Sequence, residues 1–408
     1  MTTERLAYFA LLVFVMVIPW ERNVAVPGLG AIGTPFGLIA AALAVLASVR
    51  NGRLILRQPS AFMAVMALFV LWSVVSYFWS VQPMSTLGRS VTYAQLFVMV
   101  WLIWQLCKTQ QEHRALLQAY VVGGYVAVAG VLVAFVTGGW GEATTGFRLS
   151  FFGGNPNWLA LAIALGIPMA WHLIITGSRQ YLQVLNACFI ALAVLAIALT
   201  GSRGGFITAT VAMIVIPLTF WHLGLLRKLA LLGLLGAGLY SAFIVLPEAN
   251  MERLLTTREE VATGTLTGRT RIWSAGLDVV QSDPTVSLFG AGSGNFGAAI
   301  AASHGAASAA HNAYLSILVG NGLVGLTLFM GLLLLALAPV LALKSPLRQL
   351  YFALWLTLCV ALFPANLETQ KSVWFTLALL STASAYVLGR ASESGTSSRE
   401  STVRGVRA

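Results

Sequence analysis

Acidic residues are scarce: 13 Asp and Glu stand against 24 Lys and Arg in 408 residues, and the four types together make up 9% of the chain. That excludes a soluble domain of this size, in which about a quarter of residues are charged. Cysteine is nearly missing too. Cys107, Cys188 and Cys359 lie in or at the edge of apolar runs, so they supply neither a disulfide framework nor a metal-ligand spacing. No Asp-x-Asp pair and no His/Asp/Glu cluster occurs, so no metal is expected. The glycine run at 290–297 has no Gly-Lys-Ser/Thr after it and no strand–helix unit around it, which excludes both an NTP-binding loop and a dinucleotide fingerprint.

What is there is apolar sequence, 58% of the chain. About 20 such residues span a bilayer, and twelve candidate spans follow: 5–20, 29–49, 60–80, 86–107, 115–137, 155–176, 181–201, 203–222, 226–246, 311–343, 348–366 and 372–390. The tenth is long enough to tilt, kink or project past the membrane. The first ends in Pro19-Trp20 with no small-residue cleavage site and reads as an uncleaved span. The organisation expected is nine spans over 1–246, an outer loop over 247–310, three spans over 311–390 and a disordered tail over 391–408, rich in Ser and Arg.

Basic residues set the orientation. With the N-terminus inside, Arg5, Arg50, Arg53, Arg57, Lys108, Arg114, Arg179, Arg227, Lys228, Lys344, Arg348, Arg390, Arg399, Arg404 and Arg407 fall on the cytoplasmic side, 15 of the 24. An even number of spans leaves both termini cytoplasmic. The net charge of +11 is therefore mainly a topology signal. Its scatter over short loops speaks against nucleic acid as a partner.

The outer loop over 247–310 holds a stripe of Ile272, Trp273, Gly276, Leu277 and Val280. That spacing predicts an amphipathic helix lying on the membrane or docked on the bundle, with Arg269 and Arg271 at its start. Asp283-Pro284 ends it. The glycine run after it is either a tight turn or a backbone surface for a sugar or phosphate. A second outer loop, 138–155, contains Trp140, Glu142 and Arg148 and leads into Asn155-Pro156-Asn157. There Asn155 suits a helix cap and Pro156 a first turn. At the junction Ser202-Arg203-Gly204-Gly205, Arg203 either snorkels to the interface or serves a ligand, with glycines clearing space around it.

The most informative segment is His311-Asn312, followed after nine residues by Gly322 and then Gly325. On a continuous helix, eleven residues are close to three turns. His311 and Gly322 would then share a face, with Gly325 near the same stripe. The imidazole would sit at the wet end, and the glycines would admit a neighbouring helix.

The outer-face charges near membrane level are Arg89, Arg148, Arg203, Arg269, Arg271 and His311, against the carboxylates Glu21, Glu142 and Glu368. Guanidinium forks without paired acids suit a diphosphate held without a metal. A histidine beside them can deprotonate an attacking hydroxyl. A site facing away from ATP and nucleotide sugars needs a donor activated beforehand, and a polyisoprenyl diphosphate-linked sugar fits that demand.

These residues resemble the bacterial O-antigen ligase/polymerase family of polytopic glycosyltransferases. The resemblance rests on His311-Asn312-x9-Gly322-x-x-Gly325, with Gly154-Asn155-Pro156-Asn157, Ser202-Arg203-Gly204-Gly205, Gly268-Arg269-x-x-x-Trp273 and Gly290-x-Gly292-x-Gly294-Asn295-Phe296 in the family's usual order. The resemblance implies an all-α, C-type glycosyltransferase-like membrane fold in the bacterial inner membrane with a periplasmic site. It also implies a ligase that moves O-polysaccharide from undecaprenyl diphosphate to a lipid A–core hydroxyl, without cofactor or metal. By position His311 looks like the general base, and Arg203 and Arg269 look like diphosphate-binding residues. Arg89, Arg148 and Arg271 join them on topology alone, and Asn312, Gly322, Gly325, Asn155, Asn157 and Trp273 support the site. The rivals are an O-antigen polymerase, a protein O-oligosaccharyltransferase, and, from another class, a lipid-linked sugar transporter or flippase. Transporters place charges near the midplane, whereas these mid-span segments are nearly free of charge.

Overall fold

Each of the twelve expected spans carries a helix in the computed structural model, which describes residues 2–28, 30–50, 53–54, 56–138, 148–256 and 268–383. Trp140, Glu142, the end of the twelfth span and the 391–408 tail lie outside the described residues. The helices are α1 (Thr3–Val17), α2 (Gly33–Ser48), α3 (Ala61–Val75), α4 (Pro83–Leu106), α5 (Gln110–Val136), α6 (Pro156–Thr176), α7 (Gln180–Leu199), α8 (Arg203–Met213), α9 (Val215–Thr219), α10 (Leu225–Val245), α11 (Glu248–Leu255), α12 (Arg269–Ser282), α13 (Pro284–Phe289), α14 (Phe296–His304), α15 (Ala313–Leu341), α16 (Leu347–Ala361) and α17 (Lys371–Thr382).

Among the described residues, eight helical stretches are long and apolar enough to cross a membrane: Ala61–Trp79, Pro83–Leu106, Gln110–Val136, Pro156–Thr176, Gln180–Leu199, Arg203–His222, Leu225–Val245 and Ala313–Leu341. The protein is therefore a polytopic all-α membrane protein with eight candidate spans. The other four expected spans correspond to shorter helices, α1, α2, α16 and α17. At 1.5 Å per residue, the 15 residues of α1 reach about 22 Å, less than the ~30 Å hydrocarbon core.

Local sequence explains where the site-bearing helices begin. Asn155 Oδ1 accepts the Asn157 and Trp158 amides, with Pro156 in the first turn. Ser202 accepts the Gly205 amide at the start of α8, and Asn312 accepts the Leu315 amide at the start of α15. Each side chain satisfies a donor that a helix start leaves open.

The main core runs through the bundle around Phe69, Tyr93, Trp171, Phe329, Trp374 and Phe375. A second, separate core forms at the end of the bundle that carries His311. It joins Ala275, Phe296, Ile300, Ala310, Leu315 and Val319, with Ile272, Trp273 and Val280 packed against them. The stripe expected on 269–280 thus docks α12 onto α14 and the first turns of α15. Leu277 is the exception and stays exposed.

The continuous helix expected from His311 to Gly322 does not form. His311 precedes α15, and Gly322 breaks it with φ 67° and ψ −172°. The cause is close approach of backbone. A β-carbon at Gly322 would lie 2.3 Å from the Leu288 carbonyl oxygen, and one at Gly290 would lie 2.4 Å from the Gly320 carbonyl oxygen. The groups freed by the break find partners. The Ala291 amide donates to the Val319 carbonyl at 2.8 Å, and Trp72 Nε1 donates to the Asn321 carbonyl at 2.8 Å. Gly325 is buried beside Asn321 and Trp72. Gly322 admits the end of α13 and its following turn, whereas Gly325 faces Trp72 of the neighbouring helix α3.

Candidate active site

The loop between α16 and α17, residues 362–370, is the hub of the end of the bundle that carries His311. Leu362 accepts the Ala313 amide at 2.9 Å. Phe363 meets the Trp273 ring edge-on, with centroids 5.4 Å apart. Pro364 packs where a β-carbon on Gly204 would lie, 2.7 Å away. Asn366 Oδ1 accepts the Asn312 amide at 3.1 Å. Glu368 Oε1 accepts Ser316 Oγ at 2.8 Å and faces Arg89 Nη1 at 3.5 Å. Through these contacts the loop joins α8, α12, α15 and α4.

His311 sits at the centre of the first group. Its φ of 48° is in the left-handed region, which costs a non-glycine residue about 1–3 kcal/mol and persists only where surroundings over-determine it. Trp273 Nε1 donates to the Ala310 carbonyl at 2.8 Å, just before it. The imidazole is half-buried. Burial first, then the positive charge of Arg269, hold its pKa below the ordinary 6.5, so neutral imidazole prevails at neutral pH. Arg269 opens α12, close enough for its charge to act on His311. Arg271 is exposed. Residues two apart on a helix do not face the same way, so placing Arg269 toward His311 turns Arg271 from it.

The second group is Arg148, Asn157 and Arg203. Arg148 Nη2 donates to Asn157 Oδ1 at 2.6 Å, and Ser202 Oγ donates to the same oxygen at 2.9 Å. Arg203 opens α8, and its Nη2 donates to Thr256 Oγ1 at 3.0 Å. Asn157 therefore ties the loop before α6 to the junction before α8. Asn155 serves only as the cap of α6.

Arg89 belongs to a third group with Glu368. A β-carbon on Gly294 would lie 2.8 Å from Arg89 Nε, so the glycine run packs flat against this side chain. The run is a buried turn: Asn295 Nδ2 donates to Ser80 Oγ at 2.6 Å and Thr86 Oγ1 at 3.1 Å, and the Ser293 amide donates to Ser76 Oγ at 3.1 Å. Glu368 is 1% exposed. Burial pushes its carboxyl above the usual range, against the pull of Arg89. Arg22, which no sequence motif marks, stacks over the Trp158 ring at 4.6 Å. Lys371 pairs with Glu21 at 2.7 Å. Among the described residues no group of three His, Cys, Asp or Glu could hold a metal ion.

Asn366, Ser316, Pro364 and Arg22 are the site-level residues that sequence reasoning missed, and Glu368 was noted only as a charge. The one usable signal covered Asn366 and Glu368 alone, which lie in a polar stretch, Asn366 to Lys371, between two apolar segments.

Residues 188–330 match a family model described as O-Antigen ligase. The match begins in α7 and ends in α15. It includes Arg203, Arg269, Trp273, His311, Asn312, Gly322 and Gly325, and it leaves out Arg89, Arg148, Asn157 and the 362–370 loop. No curated protein matches the chain. Over the matched stretch, about a third of its length, the chain is similar to the O-antigen ligase family.

Proposed function

We propose that this protein is an O-antigen ligase: a glycosyltransferase that moves O-polysaccharide from undecaprenyl diphosphate to a hydroxyl of the lipid A–core, on the periplasmic face of the inner membrane. His311 is the general base. Its neutral imidazole takes the proton of the acceptor hydroxyl, the oxygen bonds to the donor's anomeric carbon, and the bond from that carbon to the diphosphate breaks. Arg203 and Arg269 hold the diphosphate oxygens and neutralise the charge of the leaving group, and Arg148 and Arg89 add to the positive field around them. This assigns to guanidinium groups the role that Mg²⁺ plays in metal-dependent transferases.

The observation that carries this reading is the pairing of Arg269 with His311. A cation beside a half-buried imidazole keeps it unprotonated, as a base needs. That same cation stands where an anionic leaving group would be bound. The matched family supports lipid-linked polysaccharide and lipid A–core as the substrate classes.

The test is reconstitution of the full chain with a lipid-linked glycan and purified rough lipopolysaccharide, in excess EDTA, scored by a gel ladder. A ladder on the lipopolysaccharide is expected. Lengthening of the lipid-linked glycan instead would make the protein a polymerase. Loss of transfer on chelation, restored by Mg²⁺, would overturn the metal-independent mechanism.

A further inference from the structure

His311 holds a backbone angle that side chains resist, and it holds it before its helix has begun. Three bonds fix the turn. Trp273 Nε1 donates to the Ala310 carbonyl, and the Ala313 amide donates to the Leu362 carbonyl. Between them, the Asn312 amide, the N–H of the peptide that His311 closes, donates to Asn366 Oδ1 at 3.1 Å.

The third bond comes from outside the helix. Asn312 is the N-cap, and its side chain already accepts the Leu315 amide. The cap residue's own amide is one of the donors that a helix start leaves open, and Asn312 is 6% exposed, so that amide needs a partner within the protein. A side chain 54 residues further along the chain supplies it. Fixing the 311–312 peptide fixes ψ of His311 and therefore the direction in which the imidazole leaves the backbone. Asn366 lies outside the matched residues.

We propose that Asn366 is the positioning residue of His311, holding the peptide after it so that the imidazole faces the acceptor hydroxyl. The proposal rests on the reading of His311 as the base. A neutral amide oxygen suits this place better than a carboxylate. Either accepts the Asn312 amide, but a carboxylate beside the imidazole favours the imidazolium and cancels what burial and Arg269 achieve. The other groups around the turn leave that balance to Asn366. From α12 the charge at His311 is Arg269, and Arg271 is exposed. On the loop the titratable neighbour is Glu368, engaged by Ser316 and Arg89. The first turn of α15 brings Tyr314, whose hydroxyl donates to the Cys359 carbonyl at 3.0 Å. Arg203 opens α8, whose Gly204 abuts Pro364.

The test compares the full-length protein with Asn366→Asp and Asn366→Leu, using two readouts. Diethyl pyrocarbonate acylates neutral imidazole, so its rate at His311, read by peptide mass spectrometry across pH, titrates that side chain without any need for turnover. Asn366→Asp should move the midpoint up by about one pH unit. In the reconstituted assay, Asn366→Leu should lower kcat roughly 10–100-fold with the donor KM held. Asn366→Asp should recover most of that turnover at alkaline pH, with its acid limb shifted upward. An unmoved midpoint in Asn366→Asp, or wild-type kcat in Asn366→Leu, would overturn the proposal. If the unmodified protein transfers no glycan, the ligase reading fails, while the acylation result still decides whether Asn366 governs His311.

Discussion

Ser316 Oγ donates to Glu368 Oε1 across 2.8 Å, fastening the first turn of α15 to the loop ahead of α17 at the level of Arg89. Two residues earlier on that loop, Asn366 holds Asn312. One nine-residue connection thus holds both the turn that carries His311 and the side chain of Arg89.

Replacing Glu368 should expose this dependence. Glu368→Leu removes the acceptor of Ser316 and the partner of Arg89, and a buried polar group left unpaired costs about 1–3 kcal/mol. Thermal unfolding in detergent should show a lower midpoint. Burial raises the folded-state pKa of this carboxyl, so its contribution to stability is complete at acidic pH and declines as pH rises through the folded value. Glu368→Gln keeps an acceptor oxygen and does not titrate, so its unfolding midpoint should vary less with pH than the wild type's. A steeper pH dependence in the Gln variant would refute this account.

The pH profile of transfer tests the base. Because the His311 pKa is held below 6.5, the acid limb of kcat/KM should fall below the ordinary imidazole value. A general base contributes about 10²–10⁴ in rate, so His311→Ala should lose that much. His311→Gln keeps size and hydrogen bonding but takes no proton, and it should be equally poor. Wild-type turnover in the Gln variant would leave His311 with a positioning role only.

The arginines divide by position. Arg203→Lys and Arg269→Lys keep the charge and lose the planar fork, and both should reduce transfer sharply at normal protein level. Arg271→Ala should be nearly silent, since that side chain is exposed. Full activity in both Lys variants would return Arg203 and Arg269 to interface snorkelling.

Orientation is read from two exposed positions. Ala306→Cys, in the loop before His311, should react with an impermeant maleimide in spheroplasts. Gln58→Cys, in the segment before α3, should react only after permeabilisation. The reverse pattern would place every site residue on the cytoplasmic side.

Local chemistry was legible in the sequence, and long-range contact was not. The Asn155-Pro156 cap, the end of α12 at Asp283-Pro284 and the stripe on that helix follow from nearest-neighbour rules, and each is present. Arg271 joined Arg269 on topology alone, because spacing does not say which side of α12 meets His311. The loop at 362–370 left no motif, since its partners lie 54 and 52 residues away for Asn366 and Glu368. Gly322 read as a packing surface on a straight helix. Only the approach of the Leu288 carbonyl makes it a break.

That break gives α15 two allegiances. Below Gly322 it is part of the bundle through Phe329, Leu332, Leu333 and Ala336. Above it, Leu315 and Val319 share a core with α12 and α14, while Ala313 and Ile317 stay in the core of the bundle. The segment between His311 and the break is therefore gripped from two sides at once, so a change in either core is felt at the turn that carries His311.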